Sequence, residues 1–476
     1  MPRKPVVFVP GLPASELVRN GKAFFPPSMN VLLGGGRSRV NLFKWVRGAD
    51  DLATDDGVKA GGVIRHATRF FGMKMAKEAE TLYALLQREM DYTPGLDFAP
   101  VGWDWRLPVD APVTHRNIAA AVNALWERYG DPVVVVMHST GGLVVRSFLE
   151  SGTAAARQTA GRIGQLVAFG VPWVGTLKSM RMMQEGGSDL VQFVSDGEVQ
   201  QALARSWAAY DLLPPDPATT EMKDDEGPIV FYRGINGKPA SPMKNHQWVP
   251  DSVDESAPPR LTHAYSRLGR RARTLQLPPG VDIPVVNVVG YGVATDTEAA
   301  VTLVGGRSKV TFTSTRDGDG TIPRRSAEWL HGRVTTYRLP AGIGEAGVEI
   351  AHSQLWDCPP ARELLARVLI DRPPQPIVYA AMDEGDLKSG ASKVRIRVVG
   401  YAPDGGPLPN GRAYFGPAAK QSPRGKEYAL DAHGRIELMF TRNPAPAGGY
   451  YSCPLRVKWG APNSEETRSF ALGFPA

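Results

Sequence analysis

Residues 133–142 read VVVVMHSTGG and run on into LVVRSFLE at 143–150. Four consecutive valines predict a strand buried on both faces. LVVRSFLE predicts a helix, and between the two lies a turn, His138-Ser139-Thr140-Gly141-Gly142. A strand that turns into a helix through a central serine is the context of a nucleophile elbow. The serine hydroxyl must project from a sharp turn, so its neighbours must be small enough for strand and helix to meet. The backbone N–H of the next residue, Thr140, then points at a developing oxyanion. Met137 stands where G-x-S-x-G has its first glycine, and the elbow closes only if that side chain turns into an adjacent gap.

Such a serine needs an acid and a histidine, in the chain order Ser, Asp or Glu, His. DGDGTIP at 317–323 places Asp317 and Asp319 in one turn, and VEIAHSQLW at 348–356 places His352 just ahead of the last predicted helix of this region. Of the histidines after the acidic turn, His331, His352 and His433, the last falls among C-terminal strands, and His352, placed after a strand and before the final helix, is the natural base. A calcium loop is excluded, because the acidic positions stop after two and no Glu closes the loop. No metal or organic cofactor is expected.

Outward from the elbow, short apolar runs predict strands at 5–9, 98–101, 166–169, 284–289 and 334–339. Helical patterns at 77–90, 115–129 and 359–370 alternate with them, the second carrying Ile118, Val122, Leu125, Trp126 and Tyr129 on one face. Strands alternating with helices predict an α/β fold with a mostly parallel sheet covered on both faces. Residues 18–70 and 177–280 break the rhythm and read as a lid and a cap inserted over the sheet. After DRPPQP at 371–376, a stiff linker, strict alternation begins, as in Val394, Ile396 and Val398. The expected organisation is therefore a hydrolase-like domain over 1–371 and an Ig-like β-sandwich over 376–476.

The 476 residues, 42% hydrophobic and 22% charged, suit a chain that buries a core. Fifty-one glycines and 41 prolines predict many turns and exclude a helical bundle. Two cysteines, Cys358 and Cys453, cannot build a disulfide framework. The net charge of +7 is spread along the chain, without the basic stripe or reader motif that nucleic acid binding needs. No apolar run is long enough to span a membrane, and the basic start leads into a strand rather than a signal peptide. The expected location is the cytoplasm, or export without a cleaved signal; the oligomeric state is left open.

Five segments together resemble the lecithin:cholesterol acyltransferase family of the α/β-hydrolase superfamily. They are PVVFVPGLPASEL at 5–17, GWDWRL at 102–107, VVMHSTGG at 135–142, FGVPWVGT at 169–176 and DGDGTIP. The resemblance implies that Ser139 is the nucleophile, Asp319 the acid and His352 the base. It also implies that Leu12 gives a second oxyanion N–H beside that of Thr140. Departures are Met137, Val174 in the Pro-Trp-Gly-Gly block, and the absence of the animal enzymes' lid disulfide. In the cap, Trp173, Met180, Met183 and Trp207 are candidates for an acyl trough. Arg267, Arg270, Arg271 and Arg273 could attract phosphate headgroups but read rather as a solvated helix face, and Trp103, Asp104 and Arg106 read as a packing block.

The expected activity is serine-dependent acyl transfer or lipase chemistry, with a lipid ester, most naturally a membrane phospholipid, as donor and an alcohol or water as acceptor. Two rival readings are a signal-less phospholipase effector and a non-catalytic lipid- or partner-binding protein with a decayed elbow.

Overall fold

The six predicted strands assemble into one sheet. They are β1 (Val6–Val9), β2 (Phe98–Pro100), β3 (Val133–His138), β4 (Ile163–Phe169), β5 (Val285–Tyr291) and β6 (Val334–Pro340). Their order is β6-β5-β4-β3-β1-β2, and every pairing is parallel. The computed structural model describes residues 3–475 apart from 26–56, 65–76, 188–194, 218–220, 242–259, 261, 265–271, 305–306, 345–348, 371–374, 416–425, 442–449 and 462–463.

Alternation along each strand divides the core between two faces. Val7, Val9, Val135 and Met137 join Ile118, Val122 and Leu125 of the helix Pro112–Tyr129, together with Leu143 and Val144 of the helix Thr140–Leu149. Val6, Phe8, Val134 and Val136 join Leu82 of the helix Lys77–Ala84 and Leu364, Leu365 and Leu369 of the helix Pro359–Ile370. Pro112 and Pro359 each open a helix, where a missing N–H removes no intrahelical bond. Tyr129 departs from the predicted apolar face and is exposed. The helix stops beside it at Gly130, whose left-handed φ of 67° turns the chain away. This parallel sheet with helices on both faces and an elbow after β3 is the α/β-hydrolase fold.

Of the segment expected to form a lid, residues 15–19, 22–25 and 58–63 form a three-stranded antiparallel sheet, and 26–56 lie outside the described residues. The cap segment holds the helices Leu177–Glu185, Asp196–Arg205 and Trp207–Asp211. Of its arginine run, only Arg273 lies within the described residues.

The C-terminal strands form two sheets whose inner faces share a core of Val378, Ile396, Val398, Leu455, Val457 and Phe470. One of them takes in strands from before the linker. The strands β7 (Gly342–Ile343) and β8 (Glu349–Ile350), which precede the linker, extend the sheet of β9 (Ile377–Met382), β10 (Lys393–Tyr401) and β11 (Arg435–Thr441) in the order β8-β7-β9-β10-β11. Tyr379, Val399 and Tyr401 pack in the same cluster as Phe8, Phe169 and Trp356. The linker therefore marks no break in packing, because an open sheet edge gains hydrogen bonds from whichever strand lies alongside it.

Candidate active site

Ser139 sits between β3 and its helix with φ 51° and ψ −129°. A non-glycine residue held there stores on the order of 1–3 kcal/mol, so its surroundings must enforce it. They do so by close approach: a Cβ on Gly141 would lie 2.3 Å from the carbonyl oxygen of Val9. Met137, flanked in the sheet by Val9 and Ala168, is fully buried and belongs to the core cluster of Val135, Leu143 and Val144. The elbow closes around it.

The turn after β1 carries Leu12, which lines the same cavity as Ser139 and Thr140. Trp103 braces that turn: its indole N–H donates to Pro10 O at 2.9 Å and its backbone N–H to Ser15 Oγ at 3.1 Å. Asp104 and Arg106 form the expected buried pair, with Nε–Oδ1 at 2.9 Å and Nη2–Oδ2 at 2.6 Å.

The two aspartates of the acidic turn take different partners. Asp317 faces Arg324, at 2.6 Å from its Nε. Asp319 is buried, and its Oδ1 accepts from the backbone N–H groups of Thr321 at 3.0 Å and Ile322 at 2.7 Å. Its Oδ2 lies 2.8 Å from His352 Nδ1. An ionised carboxylate can only accept, so Nδ1 is the donor of this hydrogen bond. His352 N–H also donates to Asp319 O at 3.0 Å. Two glycines make room: a Cβ on Gly170 would meet His352 Nδ1 at 2.9 Å, and one on Gly290 would meet Asp319 Cβ at 2.8 Å.

His138 adds a second imidazole. Its ring centroid lies 4.7 Å from that of His352, and its Nε2 donates to His352 O at 3.0 Å. Burial pushes its pKa well below the ordinary histidine value, and the neighbouring His352 pushes it the same way. Both effects favour its neutral form. His138 and Gly170 lie in quoted motifs, but their contacts with His352, like that of Gly290 with Asp319, join residues distant in the chain and have no signal in the sequence.

Ser139, Asp319 and His352 line one cavity of about 270 Å³, with Met182, Leu203, Ala209 and Leu212 on its apolar side and Lys178 as its one lysine among the described residues. Trp173, Met180, Met183 and Trp207, expected there, are buried but do not line it. Met180 and Met183 lie three apart, on the face of the helix Leu177–Glu185 that joins the core, whereas Met182 faces the cavity. Trp173 instead donates its indole N–H to Asn287 Oδ1 at 3.4 Å, and Trp207 packs against His263. A larger cavity of about 410 Å³ lies away from the elbow, and its Arg325 and Arg338 are already paired with Asp224 and Glu328. Among the described residues no cluster of three or more His, Cys, Asp or Glu side chains is arranged to hold a metal ion. Among them, too, no helix is long and apolar enough to cross a membrane.

Residues 57–241 match the family described as "Lecithin:cholesterol acyltransferase". The "Lysosomal phospholipase A and acyltransferase" of Rattus norvegicus is 27% identical over 26% of this chain and 30% of its own length. "Lecithin-cholesterol acyltransferase-like 1" of Arabidopsis thaliana is 29% identical over 41% of this chain and 42% of its own length. The matched stretches thus span less than half of either relative. A chain in "The crystal structure of Tle4-Tli4 complex" covers 75% of this chain and 96% of its own, with 14% identity and a TM-score of 0.47, a likeness too low to bear on fold or function. Asp319 and His352 lie beyond the family match and reach the elbow through the fold. Over residues 57–241 the chain is therefore similar to the lecithin:cholesterol acyltransferase family, and that stretch lies on an α/β-hydrolase core.

Proposed function

We propose that this protein is a serine acyl-transfer enzyme that takes the acyl group of a lipid ester onto Ser139 and passes it to an alcohol or to water. The observation that carries the reading is the buried Asp319–His352 pair at 2.8 Å, opening onto the cavity that Ser139 also lines.

His352 Nε2 takes the Ser139 proton as Oγ attacks the ester carbonyl. Asp319 keeps the imidazole in the productive tautomer and stabilises the imidazolium. The N–H groups of Thr140 and Leu12 receive the oxyanion, and the imidazolium returns its proton to the leaving alcohol oxygen. The acyl-enzyme is then attacked by the acceptor, whose proton His352 removes in turn. The same intermediate serves hydrolysis and transfer. The apolar wall from Met182 to Leu212 suits an acyl chain, and Lys178 suits the phosphate of a phospholipid donor. The relatives named as a phospholipase and acyltransferase support that donor class.

A fluorophosphonate probe tests the nucleophile: wild type is expected to label and Ser139→Ala is not. Equal labelling of both, or labelling of neither, ends the reading. Lipid profiling with mixed phospholipids and alcohol acceptors then reports the bond cut and the acceptor together.

A further inference from the structure

The C-terminal sheet touches the acid and the base from two directions. On the acid side, Arg316 lies one residue ahead of the turn Asp317–Asp319. Its Nη1 is 2.7 Å from Asp383 Oδ1 and 2.8 Å from Asp386 Oδ1. Asp383 is buried and is held in turn by Arg397, with Nη2 at 2.9 Å from its Oδ2. Arg397 is buried too, and its Nη1 donates to Gly292 O at 3.4 Å, just beyond β5. Gly292 N–H donates to Arg316 O at 3.0 Å, and Val293 N–H donates to Gly318 O at 3.0 Å, next to Asp319. The path from Asp383 to the Asp319 backbone is thus a continuous chain of charged and backbone hydrogen bonds.

On the base side, Ile343 of β7 pairs with Met382 of β9, the residue before Asp383. Gly342, at φ 131°, comes so close to β9 that a Cβ there would overlap Met382 O. Gly342 pairs with Ile350, and His352 follows two residues later. Met382 and Asp383 therefore anchor both arms of the Asp319–His352 pair.

We infer that the C-terminal sheet is a positioning element of the active site: Asp383 and Asp386, through Arg316, fix the acidic turn, while β9, through β7 and β8, fixes the backbone that enters His352. Arg316, Asp383 and Asp386 act through Asp319 and touch no substrate. The inference rests on the acyl-enzyme reading for its consequence and on the Asp319–His352 geometry for its substance. A sub-ångström shift of the acid relative to the base is enough to slow the chemistry, since misplacement by about 1 Å can cost on the order of a hundredfold.

The test uses the full-length chain with Arg316→Gln and Arg316→Lys. Arg316 is a third exposed, so its loss leaves no buried hole. Two signals are read: the rate of Ser139 labelling by a fluorophosphonate, and the low-field proton resonance of His352 Nδ1–H, assigned by its loss in His352→Gln. Arg316→Gln is expected to slow labelling about ten- to hundredfold and to shift or broaden the resonance, at unchanged circular dichroism. Arg316→Lys, which keeps the charge, is expected to recover part of both. A wild-type resonance and a wild-type labelling rate in Arg316→Gln overturn the inference. If Ser139 of the wild type does not label, the acyl-enzyme reading falls and the resonance alone decides the positioning role. If Arg316→Gln does not fold, Asp386→Asn, which leaves Asp383 to hold the guanidinium, is judged by the same two signals.

Discussion

Asp319 Oδ2 lies 2.8 Å from His352 Nδ1, across 33 residues of sequence, and the same carboxylate takes two backbone N–H groups on its other oxygen. All of its contacts are acceptor contacts. Asp319→Asn keeps the volume but offers an NH₂ where only an acceptor fits, so it favours the wrong imidazole tautomer. Turnover of a soluble acyl ester is expected to fall on the order of 10³–10⁴-fold, with the melting temperature lowered only modestly. Steady-state kinetics on the two proteins checks this, and a loss under tenfold contradicts the role given to Asp319.

Gly170 holds φ 54° directly beneath the His352 ring. Gly170→Ala brings the backbone penalty of a left-handed alanine, roughly 1–2 kcal/mol, and a methyl 2.9 Å from Nδ1. The ring must move, since the sheet beneath cannot. Activity is expected to drop about tenfold or more while KM changes little. Steady-state kinetics beside thermal melting separates the displaced ring from a general loss of fold.

His138 is buried, and burial lowers its pKa; His115 is shifted in the same direction, burial again being the larger cause. A histidine depressed in the folded state contributes stability above the unfolded pKa, near 6.5, and loses it as pH falls below that value, because only the unfolded chain binds the proton. Each such group steepens the acid loss by at most about 1.4 kcal/mol per pH unit. Urea unfolding at pH 7.5, 6.5 and 5.5 is expected to show stability falling toward acid. His138→Gln, which keeps an N–H for His352 O, is expected to flatten the slope. An unchanged slope rules the titration of His138 out.

Arg324 ties the cap to the acidic turn. Its guanidinium meets Glu226 at 2.6 Å, Asp317 at 2.6 Å and Glu328 at 2.8 Å. Burial works against its charge, but these carboxylates more than compensate and hold its pKa above the ordinary arginine value. Arg324→Met strands Glu226 and Asp317 beside an apolar side chain, while Glu328 keeps Arg338. Breaking a fully buried pair costs about 3–5 kcal/mol, and the partial exposure of Glu226 and Asp317 reduces this to about 2–3 kcal/mol. Chemical unfolding measures it, and the loss is expected to shrink when salt screens the stranded charges. A neutral effect contradicts the network.

Every strand of the parallel sheet, and the strand–turn–helix around Ser139, is legible in the sequence. Unbroken apolar runs such as Val133–Val136 and the small residues around Ser139 are local signals, written in covalent neighbours. The expected order of Ser139, an acidic turn and His352 is legible for the same reason. The choice of Asp319 over Asp317 came from the family resemblance, and the contacts to His352 and Arg324 then gave the two carboxylates different partners. Tertiary structure alone decided that Met182 rather than Met180 or Met183 faces the cavity, since helical spacing gives a face and not its direction. It also decided that Gly170 and Gly290 yield to His352 and Asp319, and that Gly342–Ile343 joins the sheet of the C-terminal strands. Those outcomes depend on contacts between residues far apart in the chain. Sheet register and packing set such contacts, and no periodicity along the sequence records them.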